Sequence, residues 1–85
     1  MMFPVYLKYK QHPTYFKINS LVNFEELRIL GNYFNLSKRE ATILPDRVFI
    51  ADLLEDRGER LEKITKHEFE DVLEHCYRNK IEKVF

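Results

Sequence analysis

Three side chains that can bind metal ions recur at every fourth position near the C-terminus: His67, Asp71 and His75. On a helix, neighbouring members of this set lie on one face and could hold an ion as a pair. The outer two are two helical turns apart, roughly 12 Å at a rise of 1.5 Å per residue, so all three cannot converge on a single ion. The spacing also differs from the HExxH arrangement of zinc enzymes. We therefore predict a solvated helix face, with no metal site and no cofactor.

Other reactive groups are present, but their spacing does not suit catalysis. Cys76 follows His75 directly, and neighbours on a helix point about 100° apart, so the two do not form a nucleophile–base pair. Four carboxylates are predicted on one exposed helix edge and the loop after it: Asp52, Glu55, Asp56 and Glu59. General acid–base catalysis needs two acids in unlike environments. With only two glycines there is no phosphate-binding loop. We expect no catalytic residues and predict that the protein is not an enzyme.

The N-terminal segment carries the pattern that most resembles a binding surface. Val5, Leu7 and Tyr9 share one parity, as inward-facing residues of a strand do. The opposite parity, continued in the next apolar segment, would form an outer face of tyrosines and lysines: Tyr6, Lys8, Lys10, Tyr15 and Lys17. We call these five residues the Tyr/Lys set and expect them to form an exposed partner-binding face.

Three classes of function remain open for this expected face. The first choice is a small interaction module that binds a protein partner or a second copy of itself. The alternative is a weak binder of single-stranded nucleic acid, because bases stack on aromatic rings and lysines meet phosphates. Three lysines on a neutral protein would make such binding salt-sensitive. An enzyme is a distant third. Seven Phe and five Tyr in so short a chain favour the first choice, since they exceed what one small core covers.

Composition sets the class of protein. The chain has 85 residues with 45% apolar and 33% charged positions, which predicts a single folded domain over residues 1–85. Lys+Arg and Asp+Glu both number 14, so the formal net charge is zero. The single cysteine excludes an internal disulfide. No signal peptide or membrane span is recognisable, and we expect a cytoplasmic protein without membrane partners.

Local patterns predict a hairpin at the start and a helix at the end. Residues 4–10 and 14–19 alternate with period two around Pro13, which suits a turn. Near the C-terminus, Thr65 and Glu68 have the spacing of a capping box. The residues after them follow i, i+3, i+4, i+7 spacing, so a helix over about residues 66–80 buries one stripe. A short extended segment is expected over residues 60–64.

The middle of the chain, residues 24–44, has two interpretations. As strands, Leu27 and Ile29 face Phe34 and Leu36 across a Gly31-Asn32 turn of type II′. As helices, Asn23 caps the first one, and Lys38 and Arg39 open a second in a helix-turn-helix. The central glycine would cost that first helix about 1 kcal/mol. We favour the strands.

A further helix over about residues 46–57 follows Pro45, with Asp46 as its cap and Gly58 at its end. The predicted fold class is α+β: a small antiparallel sheet of one or two β-hairpins, covered on one face by two helices that share one core with it. The alternative is an N-terminal hairpin followed by a mostly helical body.

Overall fold

The structure, a computed structural model, describes residues 2–83. It contains a six-stranded sheet and two helices, so the α+β class is confirmed. In chain order the elements are β1 (Val5–Tyr9), β2 (Thr14–Ser20), β3 (Asn23–Leu30), β4 (Tyr33–Glu40), α1 (Leu44–Glu55), β5 (Leu61–Lys63), α2 (Lys66–Asn79) and β6 (Ile81–Glu82). The strand order across the sheet is β5-β1-β2-β3-β4-β6. The sheet is larger than expected because two short strands extend its edges.

Both predicted hairpins are present. β1 pairs antiparallel with β2, and β3 pairs with β4 in the predicted register of Leu27 opposite Leu36. The turn between β3 and β4 has Gly31 at a φ of 61°, and no other residue type in the described chain has a positive φ. A positive φ at the first turn position alone fits the type II′ geometry. The helical alternative for residues 24–44, and with it the helix-turn-helix, is therefore wrong.

The C-terminal helix is confirmed, whereas the first helix begins earlier than predicted. In α2 the Thr65 hydroxyl accepts a hydrogen bond from the Glu68 N–H at 3.0 Å, which is the predicted cap. α1 begins at Leu44 after Ile43, and Pro45 lies in its first turn. A proline is compatible with that position because its missing N–H would have no partner there. Asp46 is therefore inside the helix and does not cap it.

The two helices cover opposite faces of the sheet, so the prediction of one covered face and one shared core is wrong. The residues packed around α1 form the first core cluster: Leu7, Phe16, Ile18, Phe24, Ala41, Ile50, Leu53 and Leu61. Those around α2 form the second: Tyr6, Leu27, Phe34, Phe69 and Cys76. Alternating strand residues point to opposite faces, and here each face supplies a core. The sheet is thus the middle layer of three.

The route of the chain explains this three-layer arrangement. α1 leads from the end of β4 to β5, which pairs with the outer edge of β1. α2 then leads to β6, which pairs in parallel with β4 at the other edge. The two helices are therefore two crossings of the sheet, one over each face. Neither helix in the described part of the chain has the length and apolar character that a membrane crossing requires.

Candidate interaction surfaces

The structure places the two tyrosines of the Tyr/Lys set against α2. Tyr6 is only 8% exposed, and its ring centroid lies 5.5 Å from that of Phe69. Tyr15 is partly buried in the same cluster. The prediction that Tyr6 belongs to an exposed face is therefore wrong. The physical reason is that α2 lies over this strand, and a tyrosine ring has a large apolar surface that the helix covers.

The lysines of the Tyr/Lys set have partners inside the fold. The Nζ atom of Lys8 lies 3.5 Å from Oε1 of Glu62 on the neighbouring strand, and the Nζ atom of Lys17 lies 3.8 Å from Oε2 of Glu25. The Lys10 ammonium donates to the carbonyl oxygen of Gly58. Two of the three charges are thus compensated by carboxylates. Partly exposed pairs of this kind add little stability, but they reduce the positive potential that a nucleic acid would meet.

The potential metal ligands and the cysteine have structural surroundings. The Nε2 atom of His67 lies 3.0 Å from Oδ2 of Asp71, both side chains being well exposed, while His75 contacts Asn79 one turn away. No group of three His, Cys, Asp or Glu side chains in residues 2–83 could hold a metal ion. Cys76 is fully buried against the sheet, and desolvation raises its pKa, although the charge of Lys80 opposes the shift. A raised pKa disfavours the reactive thiolate.

Among the four predicted surface carboxylates, Asp56 has a distinct role. Its Oδ2 accepts hydrogen bonds from the N–H groups of Gly58 at 3.0 Å and Leu61 at 3.1 Å, and its Oδ1 accepts one from Arg60 at 3.3 Å. Gly58 has a φ of 85° within this turn. Desolvation favours the neutral form, but these hydrogen bonds and the Arg60 charge hold the pKa of Asp56 below its ordinary value. Asp56 organises the turn that joins α1 to β5.

We expect Asp56→Asn to lower the urea midpoint of unfolding at pH 7. The midpoint of this variant should also change less with pH than that of the wild-type protein. Whichever way the amide is turned, its NH2 group would face at least one of the three backbone donors. Because the folded-state pKa of Asp56 is depressed, its contribution is complete above the unfolded-state pKa and is lost as the pH falls through the folded-state pKa. Urea titrations from pH 7 to pH 3 should show the two proteins converging.

The matched control for this prediction is Glu59→Gln in the same loop, where the side chain accepts none of these bonds. It should leave the urea midpoint at pH 7 unchanged. A constant gap between wild-type protein and Asp56→Asn down to pH 3 would contradict the assigned role of the ionised carboxylate.

Exposed apolar side chains lie on the outer side of α1, a surface that was not predicted from the sequence. Leu44 is 72% exposed and Val48 is 48% exposed, although Ile50 and Leu53 of the same helix are buried. The signal was present in the sequence. Leu44 and Val48 are four residues apart and lie on the side of α1 opposite the buried Ile50 and Leu53, so apolar side chains are distributed around this helix more evenly than around α2.

The turn between β2 and β3 extends this apolar surface. Leu21 and Val22 form its tip and are 61% and 47% exposed. Leu21 lines a surface depression together with Ala51 and Leu54, which places it beside α1. Tight turns are usually built from glycine, proline and small polar residues, so the turn geometry does not require two apolar side chains here. We name the group Leu21, Val22, Leu44, Val48 and Ala51 the α1 patch.

A groove of about 760 Å³ lies at the other end of α1, between its C-terminal half and strands β1 and β5. Its apolar lining includes Val5, Leu7, Leu54 and Leu61. This volume is within the range of about 300–1,000 Å³ typical of small-ligand sites.

Comparisons with protein-family models, curated proteins and solved structures give no match to this chain.

Proposed function

We propose that this protein is a non-catalytic interaction module that binds a second copy of itself through the α1 patch. The observation that carries the proposal is the exposure of Leu44 and Val48 on a helix whose inner side is already buried. Contiguous apolar surface of this kind on a small domain marks interaction sites. The proposed partner surface thus differs from the Tyr/Lys set, whose two tyrosines pack beneath α2.

The spacing along α1 supports a second copy as the occupant. Leu44, Val48 and Ala51 follow each other by four and three residues, which is the spacing of apolar positions along the seam of a two-helix coiled coil. Two α1 helices packed along this seam would also bring Leu21 and Val22 against the partner. A symmetric dimer needs a surface that complements itself, and an apolar seam does so.

The charges beside the seam favour a parallel pair of helices. Arg47 and Asp52 flank the seam on opposite sides and are five residues apart. In a parallel coiled coil, flanking residues with this separation meet across the interface, so each Arg47 would face the other copy's Asp52. An antiparallel pair would bring like flanks together. The Nε–H of Arg47 donates a hydrogen bond to the Ala41 carbonyl oxygen at 3.2 Å. The two terminal nitrogens of its guanidinium group remain available to pair with Asp52 of the other copy.

The weaker candidate, binding of single-stranded nucleic acid, gains no support from these surfaces. The tyrosine rings of the Tyr/Lys set are partly or fully buried, and two of its lysines form salt bridges with carboxylates. Stacking platforms need open rings, and phosphate binding needs uncompensated cations.

We expect Val48→Glu to weaken self-association by at least about tenfold, because it buries a charge at the centre of the seam; tenfold corresponds to about 1.4 kcal/mol. Sedimentation velocity over a range of concentrations measures the monomer–dimer equilibrium. The matched control is Leu30→Glu, since Leu30 is also 48% exposed but lies at the tip of the β3–β4 hairpin. It should associate like the wild-type protein.

A charge exchange tests the parallel arrangement. Arg47→Asp alone and Asp52→Arg alone should each weaken the dimer, because like charges then meet. Mixing these two variants should restore association as a heterodimer, and the double variant should restore the homodimer. A wild-type protein that stays monomeric at millimolar concentration would overturn the proposal. Association that is lost in Leu30→Glu and kept in Val48→Glu would overturn it as well.

A further inference from the structure

The groove between α1, β1 and β5 has an apolar floor and is also lined by charged residues of both signs. Leu7 and Leu61 form part of the floor from neighbouring strands, and Leu53 and Leu54 form a wall from the helix. Five charged residues also line it: Lys10, Asp56, Arg57, Glu62 and Lys63. What the groove can bind depends on which of these charges already have partners.

Both acidic residues of the groove are engaged by other parts of the fold. Asp56 accepts the three backbone bonds of its turn and lies 3.6 Å from Arg60, and its side chain is only 3% exposed. Glu62 lies 3.5 Å from Lys8, on the other face of the sheet. Among residues 2–83, neither carboxylate forms an ion pair with a basic residue of the groove.

The three basic residues have no carboxylate partner within the described chain. Lys10 donates to a neutral carbonyl, that of Gly58, and neither Arg57 nor Lys63 forms an ion pair among residues 2–83. This local positive charge occurs in a protein whose formal net charge is zero. Cations beside an apolar floor in a partly enclosed groove attract an anion more strongly than isolated surface lysines do.

The lining also narrows the chemistry of the ligand. None of the described residues that line the groove is aromatic, so a nucleotide base would have no ring among them on which to stack. A small inorganic anion would leave the apolar floor in water. A ligand with an anionic head and an aliphatic tail satisfies both parts of the groove. We propose that the groove binds a single-chain amphipathic anion, such as a fatty carboxylate of medium length, with its head at Arg57 and Lys63.

Titration with decanoate below its micelle concentration, followed by ¹H–¹⁵N spectra, tests this proposal. We expect saturable shifts at the amides of Arg57, Gly58 and Lys63. Decyltrimethylammonium, which has the same tail and a cationic head, should not cause them, and inorganic phosphate should bind more weakly. Equal responses to the anionic and the cationic amphiphile would overturn the proposal. So would binding to phosphatidylglycerol vesicles without any response to monomeric decanoate, because the target would then be a membrane surface.

Charge-reversal variants locate the binding site. Arg57→Glu with Lys63→Glu should weaken decanoate binding by at least about tenfold, since both cations that bind the carboxylate head group are lost. The matched control, Arg39→Glu with Lys66→Glu, changes the net charge equally at exposed positions away from the groove and should bind normally. Dispersed spectra show that each variant is folded. Equal affinity in both double variants would contradict the site.

This inference does not depend on self-association. In Val48→Glu, which removes the proposed dimer contact, decanoate should bind with unchanged affinity. Shifts confined to Leu44 and Val48 would place the ligand on the α1 patch and overturn the groove assignment. Failure of the groove would leave the dimer measurements unaffected, so the two proposals can be told apart.

Discussion

Phe16→Ala should lower the free energy of unfolding by about 3–5 kcal/mol, the usual cost of truncating a buried aromatic side chain. Phe16 is fully buried in β2, and its ring lies within 5.4 Å of Tyr9, 6.5 Å of Phe24 and 6.1 Å of Phe49, centroid to centroid. It therefore joins β1, β3 and α1. Domains of this size have about 5–15 kcal/mol of stability in total, so the loss is a large fraction. Urea unfolding followed by circular dichroism measures it.

Phe16→Leu provides the control and also a second measurement should the alanine variant fail to fold. It keeps most of the buried volume, and we expect a loss of at most about 1.5 kcal/mol. A loss below about 1 kcal/mol in Phe16→Ala would contradict the central position of this ring, because surface substitutions usually cost about 0.5 kcal/mol or less.

The elements that the sequence predicts well are those with local causes. The first hairpin follows from the alternation of Val5, Leu7 and Tyr9, because a strand has a period of two. The second follows from Gly31, the residue type that most readily provides the positive φ of a type II′ turn. The start of α2 follows from Thr65, whose hydroxyl caps the helix within three residues. Each of these signals is complete within a few positions.

The placement of the helices could not be predicted because its causes are distant in the chain. Which face α1 or α2 covers is determined by where β5 and β6 pair, at opposite edges of the sheet. These strands have three and two residues, too few for a period to be visible. The sequence shows that both parities of β1 carry large side chains, but it does not show that a helix lies over each.

The same reason explains the outcome for the candidate site. The pairing of Tyr6 with Lys17 and of Lys8 with Tyr15 places these four residues on one face of two neighbouring strands, whereas Lys10 lies beyond the end of β1. The exposure of that face depends on α2, which begins nearly fifty residues after Lys17. The α1 patch had a local signal in Leu44 and Val48, but its meaning depends on which side of α1 faces the sheet. Which side chains are exposed can thus be predicted from the sequence only once it is known which face of the sheet each helix covers.

Tyr6→Ala distinguishes the two views of the first strand by a stability measurement. If Tyr6 were on an open face, its truncation would change the free energy of unfolding by about 0.5 kcal/mol or less. In the structure it is 8% exposed, in contact with Phe69 of α2, so we expect a loss of about 3 kcal/mol. The ammonium of Lys17, 6.0 Å from the ring centroid, would also lose a cation–π contact.

The matched control is Tyr33→Ala, because Tyr33 is also a strand tyrosine near a lysine, with the Lys83 ammonium 5.1 Å from its ring centroid, but it is 43% exposed. Its truncation should cost clearly less than that of Tyr6, since most of the difference comes from buried ring area. Equal losses in the two variants would show that α2 does not cover Tyr6. The assignment of Tyr6 to the second core would then be wrong. The conclusion that the tyrosines of the Tyr/Lys set pack beneath α2 would be wrong as well.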